Sequence, residues 1–94
     1  MENNQGKVYT LARASSVTGG QVWWPGGAGM FSAEATFGGG TVKLQTLTIN
    51  GTWIDVGPDV TLTVAGAGGF VLPPSYIRCN IATSTVVYAY AIQM

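Results

Sequence analysis

The sequence predicts an all-β chain: an antiparallel two-sheet β-sandwich, jelly-roll-like or immunoglobulin-like, with about eight short strands and no helix. Apolar side chains alternate with period two along most segments, which is typical of strands with one buried face. Fourteen glycines and eleven threonines disfavour helices and suit turns and pleated strands. Turn signals recur about every ten residues, which favours a sandwich and leaves a barrel as the second architecture.

The first half of the chain contains four predicted strands. Residues 7–12 form the first, and residues 21–24 form the second, which a proline–glycine stretch stops. Residues 30–37 and 41–45 both alternate and are separated by Gly38–Gly40. This arrangement predicts that the third and fourth strands form a hairpin.

The alternation changes parity after Leu44, because the next apolar residues fall on odd positions. A slip of one residue swaps the two faces of a strand, so we expect either a β-bulge near Gln45–Thr46 or a strand that crosses between sheets. Asn50–Gly51 is the strongest hairpin signal in the chain and predicts a type I′ turn. Residues 53–56 are then expected to return antiparallel to residues 47–49.

The second half of the chain predicts three further strands. The apolar positions of residues 60–64 are expected to line an inner face, and Gly66–Gly69 is expected to be a flexible connection. Pro73–Pro74 marks an edge or a loop before the strand at residues 77–81. In the last strand, residues 86–93, we expect the face with the two tyrosines to be in the core, with the hydroxyl groups at its rim. That face consists of Val86, Tyr88, Tyr90 and Ile92, and the opposite face of Val87, Ala89 and Ala91.

Chain length supports a single domain with one modest core. Residues 21–94 are expected to form the β-sandwich domain. Residues 1–20, a polar leader followed by the first strand, are expected to be an N-terminal arm that a neighbouring subunit could exchange. The only cysteine, Cys79, cannot form a disulfide within one chain, so oligomerisation is the remaining common way to stabilise so small a domain.

The shortage of charge is the main indication of function. The chain has four basic and four acidic residues, a formal net charge of zero, and 47% hydrophobic residues. Charged residues make up 9%, against about 25% in an ordinary soluble domain. A surface with so little charge favours association. The scattered basic residues argue against nucleic acid as a partner, and the short apolar stretches argue against a membrane span.

Catalytic and metal-binding chemistry are not expected. The chain has no histidine, the commonest general base near neutral pH. Asp55 and Asp59 are the only close carboxylates, and their position around a Gly–Pro turn favours solvated turn residues. One cysteine without histidine cannot supply the usual ligands of a zinc site. We expect Cys79 to be a small buried hydrophobic residue. We therefore expect no enzyme activity, no cofactor and no metal.

The aromatic residues and Met30 are the candidate subunit-interface or binding surface. Trp23 and Trp24 are adjacent in a strand, so one of them must point away from the core if the other points in. Tryptophan and tyrosine dominate interface energetics, which favours a subunit contact. The alternatives are a second sheet or loop that covers both tryptophans, and a sugar-stacking platform. The candidate residues are Trp23, Trp24, Met30, Tyr76 and Tyr9.

Several segments between residues 30 and 94 resemble small β-rich virion structural proteins of tailed bacteriophages. The resemblance is carried by residues 35–45 (ATFGGGTVKLQ) and 50–56 (NGTWIDV), then by Val71–Leu72–Pro73 before Ile77–Arg78, and by Val87–Tyr88–Ala89. The paired prolines depart from the proline–small residue–glycine pattern at that turn. The first thirty residues have no such resemblance.

The resemblance implies a capsid decoration or cement protein. Such proteins lie on the outer shell, often as trimers, and tie neighbouring major capsid subunits together. The implied partners are further copies of this chain, with a trimer favoured, and the major capsid protein. The implied location is the capsid surface of a virion assembled in the host cytoplasm. The alternatives are a carbohydrate- or receptor-binding module of a fibre, and a head–tail junction or tail protein.

Overall fold

The computed structural model describes residues 6–94, which form nine β-strands in two antiparallel sheets packed face to face. The described part of the chain has no α-helix and one short 3₁₀ turn, Pro58–Val60. The prediction of an all-β sandwich is therefore confirmed. The strands are β1 (Val8–Ser15), β2 (Val22–Trp24), β3 (Gly27–Thr36), β4 (Thr41–Leu47), β5 (Trp53–Asp55), β6 (Thr61–Leu62), β7 (Gly66–Leu72), β8 (Ser75–Ala82) and β9 (Thr85–Gln93).

The strand order is that of one long antiparallel hairpin rolled into a sandwich. β1 pairs with β9, β2 with β8, β3 with β7 and β4 with β5, so the pairs nest around the turn at residues 48–52. Rolling the two arms adds the pairs β3–β9 and β4–β8. Sheet I thus has the order β1-β9-β3-β7, and sheet II has the order β2-β8-β4-β5, with β6 also paired to β4. This is a jelly roll rather than the immunoglobulin-like alternative.

The turn at the centre of this hairpin differs from the prediction in type. The N–H of Gly51 donates to the carbonyl of Thr48 at 2.9 Å, and the N–H of Thr48 donates to the carbonyl of Thr52 at 2.8 Å. Only Gly51 has a positive φ (81°), whereas Asn50 does not. The hairpin is confirmed, but its loop is a type I turn followed by a glycine bulge, not type I′. The Thr48 hydroxyl favours this wider loop by accepting the N–H of Thr52 at 3.1 Å.

The core lies between the two sheets, where large side chains from several strands meet small ones from β9. Tyr88 and Tyr90 point outward, so the expected orientation of the last strand is wrong. β9 lies between β1 and β3 at the centre of sheet I, where the bulky rings of Trp24 and Phe31 leave room only for small residues. The most deeply buried residues are Trp24, Phe31, Val42, Leu44, Val60, Ile77, Cys79, Val87, Ala89 and Ala91.

The expected hairpin between the third and fourth strands is also wrong. β3 pairs with β7 and β9, while β4 pairs with β5, β6 and β8. Gly38–Gly40 therefore carries the chain from one sheet to the other. The turn is closed by the N–H of Gly40, which donates to the carbonyl of Phe37 at 2.7 Å. Local alternation cannot distinguish such a crossing from a hairpin.

The change of parity after Leu44 is not a bulge. β4 pairs with β8 in unbroken register along residues 41–46. The parity changes because Leu47 faces outward beside Trp53 and the chain then enters the turn. Register shifts occur instead where β9 meets β1 and the end of β3.

Two assignments around the 3₁₀ turn are corrected as well. Val60 is buried, but the strand after it has only two residues and Val64 is exposed. Gly66–Gly69 is the first part of β7, paired with β3, rather than a flexible connection. Gly68 lies so close to the backbone of Asp59 that a β-carbon would collide with it. This approach lets the 3₁₀ turn pack closely against β7.

The described part of the N-terminal region is a strand of its own chain's sandwich. β1 forms one edge of sheet I, and Leu11 and Ala12 are in the core. The backbone N–H of Gln93 donates to the carbonyl of Lys7 at 2.9 Å, so this end of β1 is closed against β9. Exchange of the strand with a neighbour stays a prediction. Residues 1–5 of the proposed arm lie outside the described residues.

Gly29 provides a test of the core packing. A β-carbon there would lie 2.6 Å from Cη2 of Trp24 and 2.7 Å from Cζ of Phe70. We expect Gly29→Ala to lower the free energy of unfolding by about 1–3 kcal/mol, because the two rings must move. Gly69→Ala is the matched control, since its β-carbon would meet only the Gly29 carbonyl at 3.8 Å. Urea unfolding followed by tryptophan fluorescence measures both, and equal midpoints for the two variants would contradict the packing.

Candidate functional site

The five residues predicted for an interface or binding surface lie in three separate places. Trp23 and Tyr76 are neighbours on the outer face of sheet II, Met30 is on the outer face of sheet I, and Tyr9 and Trp24 pack together on the inner side. The prediction that only one of the adjacent tryptophans faces the core is correct. Trp24 is the inward one, with no exposed surface. It is therefore removed from the candidate binding surface.

Trp24 is the centre of an aromatic cluster inside the sandwich. Its ring lies 5.3 Å from the ring of Tyr9 and 5.0 Å from that of Phe70, both at steep angles. Edge-to-face contacts of this kind stabilise beyond the area they bury. Within the described residues, the Nε1–H of Trp24 is buried without a hydrogen-bond partner. This unsatisfied donor belongs to the largest fully buried side chain of the core.

Trp23 and Tyr76 form an exposed aromatic pair. They are directly paired between β2 and β8, and their ring centroids are 5.0 Å apart at an interplanar angle of 72°. Trp23 is 50% exposed and Tyr76 is 39% exposed. A groove of about 550 Å³ opens beside them. Its walls are Trp23, Tyr76, the end of β4 with the start of the β4–β5 turn (residues 46–49), and the β7–β8 turn with its flanking residues (residues 72–75), and none of them carries a charge.

The aromatic pair continues into a row that crosses sheet II. The register places Leu47 beside Trp53 and, one position beyond the Thr46–Ile77 pair, next to Tyr76. We call the four outward side chains Trp23, Tyr76, Leu47 and Trp53 the aromatic row. With strands about 4.8 Å apart, the row is about 14 Å long.

A polar network lies directly beside the aromatic row. Nε of Arg78 donates to Oε1 of Gln45 at 2.9 Å, and Nε2 of Gln45 donates to Oδ1 of Asp55 at 2.9 Å. Nζ of Lys43 donates to Oδ2 of the same carboxylate at 3.0 Å. The guanidinium carbon of Arg78 lies 4.4 Å from the centroid of the Trp53 ring. This stacking joins the polar network (Lys43, Gln45, Asp55 and Arg78) to the row.

Gln45 is the central member of the polar network. It is only 8% exposed although it points to the solvent side of the sheet, because Arg78 and Asp55 are bonded to its two ends. The hydrogen bond from Gln45 and then that from Lys43 hold the pKa of Asp55 below its ordinary value of 3.8, against an opposing effect of desolvation. A lowered pKa means that the carboxylate stabilises the fold above that ordinary value and loses this effect as the pH falls through the folded pKa.

The outer face of sheet I has a different character. β3, β7 and β9 together contain a single charged residue, Glu34. Met30 is paired with Ile92 on one side and Gly69 on the other, and Tyr90 is paired with Ser32. A shallow groove of about 280 Å³ lies on this face between Tyr88, Tyr90, Ser32 and Glu34. This face is apolar along its centre and nearly free of charge.

The sequence prediction missed the polar network. It took Asp55 for a solvated turn residue paired with Asp59, whereas the structure bonds Asp55 to two neighbours on β4. Lys43, Gln45 and Arg78 each alternate with apolar residues in their strands, which was the available signal. Only the register between β4, β5 and β8 brings them together.

The structure provides little for metal or thiol chemistry. Among residues 6–94, no group of three or more cysteine, aspartate or glutamate side chains is placed to hold a metal ion. Cys79 is fully buried between the sheets, as the sequence predicted, and burial raises the pKa of its thiol to about 12. Within the same residues, no helix is long and apolar enough to cross a membrane.

Comparisons with known proteins identified no relative of this chain. Neither the protein-family models nor the curated proteins nor the solved structures gave a match to this chain. The resemblance to virion proteins therefore rests on the sequence segments alone.

The polar network predicts effects on the pKa of Asp55. Gln45→Ala and Lys43→Met should each raise this pKa toward its ordinary value, because Gln45 donates a hydrogen bond to the carboxylate and Lys43 both donates one and attracts it electrostatically. Carboxyl carbon chemical shifts followed by NMR over an acid titration measure both. An Asp55 that titrates at the same pH in the wild type and in Gln45→Ala would show that the hydrogen bond does not form.

The buried thiol predicts slow chemical modification. We expect Cys79 in the folded protein to react with Ellman's reagent only at the rate of unfolding, because the thiol is both inaccessible and protonated near neutral pH. In concentrated urea the same thiol should react at the rate of a free cysteine. A reaction in buffer as fast as that in urea would contradict its position between the sheets.

Proposed function

We propose that this chain is a non-enzymatic structural subunit of a tailed-bacteriophage virion. Its role is that of a capsid decoration or cement protein, which forms a homo-oligomer, with a trimer favoured, and binds the major capsid protein on the outside of the shell. The resemblance of residues 30–94 supports the phage context. The jelly roll is compatible with it, since viral capsid and lectin domains use this fold, but a fold alone does not determine function.

The observation that carries the proposal is the outer face of sheet I. Three of its four strands, β3, β7 and β9, share one charged residue, and their outward side chains include Met30, Val71, Tyr88, Tyr90 and Ile92. Together with the edge strand β1, which adds the exposed Arg13, they give a face of about 19 Å by 25 Å. This footprint of about 480 Å² is somewhat more than half of the roughly 800 Å² per partner of a standard protein interface. Aromatic residues and methionine are enriched at such interfaces and charged residues are depleted.

Assembly through this face stabilises the shell by linkage. A subunit that binds the assembled shell but not its separate parts shifts the equilibrium toward the shell. The core between the sheets is complete within one chain, so binding does not have to fold the subunit. Each added subunit can then act as a rigid tie between its neighbours. The same argument applies to a position at the head–tail junction, which differs only in the partner.

The proposal predicts that a charge on this face prevents assembly. We expect Met30→Glu to weaken self-association by about 100-fold or more, because an unpaired carboxylate would be buried at the contact. Met30 is already 37% exposed in the single chain, so the fold should be kept. Sedimentation equilibrium over a range of concentrations measures the change, and circular dichroism checks the fold.

The matched control places the same charge elsewhere. Ile49→Glu changes the fully exposed tip of the β4–β5 turn and should leave self-association unchanged. If Ile49→Glu dissociated the oligomer and Met30→Glu did not, the subunit contact would not lie on the outer face of sheet I. A wild type that is monomeric at all concentrations, and that does not bind purified capsid shells of tailed bacteriophages, would overturn the proposed function.

A further inference from the structure

We propose that the outer face of sheet II is an oligosaccharide-binding site, formed by the groove, the aromatic row and the polar network. The site is independent of the proposed role in the shell, because it lies on the sheet opposite the face used for assembly. It would take a neutral chain of several sugar units, with one end in the groove and the rest along the row toward Trp53.

The aromatic pair supplies a stacking surface that the fold itself does not need. Trp23 lies on a three-residue edge strand, and half of its side chain is exposed. Its contact with Tyr76 fixes both rings at a steep angle before any ligand arrives. A sugar ring has one apolar face of C–H groups, which can lie on the electron-rich face of such a ring. Fixed rings lose little conformational entropy on binding.

The groove gives the site depth and a size limit. At about 550 Å³ it is within the usual range of small-ligand pockets. Three hydroxyl side chains, Thr46, Thr48 and Ser75, lie among its apolar walls. Thr46 Oγ1 and Ser75 Oγ are 3.2 Å apart and are held in place by backbone carbonyls of the β7–β8 turn and β8. Apolar walls with a few fixed hydroxyl groups suit a sugar ring.

The polar network offers hydrogen bonds beside the stacking surface. The hydrogen bonds of the polar network use one N–H of Arg78 and one of Lys43, which leaves further donors of both cations available to a ligand. Asp55 keeps acceptor capacity as well. These groups are already fixed by Gln45, so they are ordered before a ligand binds. Apolar stacking beside ordered donors and acceptors is what a ring with hydroxyl groups at its edge requires.

The same groups argue against the two other classes of partner. The polar network has two cations and one anion, a net charge of +1, and the groove has none. Nucleic acid binding depends on several phosphate contacts, which one net charge cannot supply. The centre of a protein interface is depleted in lysine and aspartate, yet Lys43 and Asp55 form an ion pair on this surface.

Binding to defined glycans tests the site. The protein is screened on an array of immobilised glycans and then titrated with free maltotriose, cellotriose, chitotriose and mannotriose by calorimetry and tryptophan fluorescence. We expect at least one of these probes to bind with a Kd below about 1 mM. Trp23→Ala and Tyr76→Ala should each weaken that binding by about tenfold or more. Trp23 is half-exposed and Tyr76 is 39% exposed, and thermal unfolding checks that the variants fold.

Two matched variants separate this site from the rest of the molecule. Tyr88→Ala removes an outward aromatic ring from sheet I and should leave glycan affinity unchanged. Met30→Glu should lose self-association and keep glycan binding, so the failure of one proposal can be told from the failure of the other. The site is overturned if no array glycan or free probe binds, if Trp23→Ala binds as tightly as the wild type, or if Tyr88→Ala rather than Trp23→Ala abolishes binding. Competition of the glycan by a single-stranded oligonucleotide at low salt would equally overturn it.

Discussion

The small side chains on the inner face of β9 determine how the rest of the sandwich is arranged. Val87, Ala89 and Ala91 are completely buried at the centre of sheet I, and they leave room for the indole of Trp24 and the ring of Phe31. Because side chains alternate along a strand, this choice also sends Tyr88 and Tyr90 outward. The packing of the interior therefore creates the apolar outer face. A core built from the tyrosine face would have required a wider space between the sheets.

The outer faces of the two sheets differ in their polar and charged side chains. Strands β3, β7 and β9 of sheet I present apolar side chains with one carboxylate, and the edge strand β1 adds Arg13, whereas sheet II contains the ion pair between Lys43 and Asp55 and the stacked Arg78. A chain with eight charged residues thus places three of them within one cluster. The shortage of charge noted in the sequence is most evident on β3, β7 and β9. One face suits permanent burial, and the other suits contact with a polar ligand in water.

Period-two alternation located most strands but could not decide which of them pair. Met30–Phe37 and Thr41–Gln45 look like the arms of a hairpin because a glycine turn separates them, and the difference from a crossing depends on contacts with β7 and β8, far along the chain. The face of β9 with the larger side chains, Tyr88 and Tyr90, was predicted to be inside, whereas the space left beside the buried rings of Trp24 and Phe31 favours the small residues of the other face. The polar network needed the register of three strands, so Lys43, Gln45 and Arg78 could not be connected from the sequence. The adjacent tryptophans were predicted to point in opposite directions, but only the packing showed that Trp24 is inside.

The nested pairing of the strands has a consequence for how the molecule is made. Tyr9 and Gln93, 84 positions apart, are joined by a hydrogen bond at 3.3 Å, so the edge strand β1 finds its partner only after nearly all of the chain has been synthesised. Contacts of such long range are formed slowly, while the turn at Gly51 can close early. Strand pairing should therefore advance from the middle of the chain toward both ends, and β1 should be the last strand to pair. During that interval a second copy at high local concentration can offer the same edge, which gives strand exchange between subunits a kinetic opportunity during synthesis.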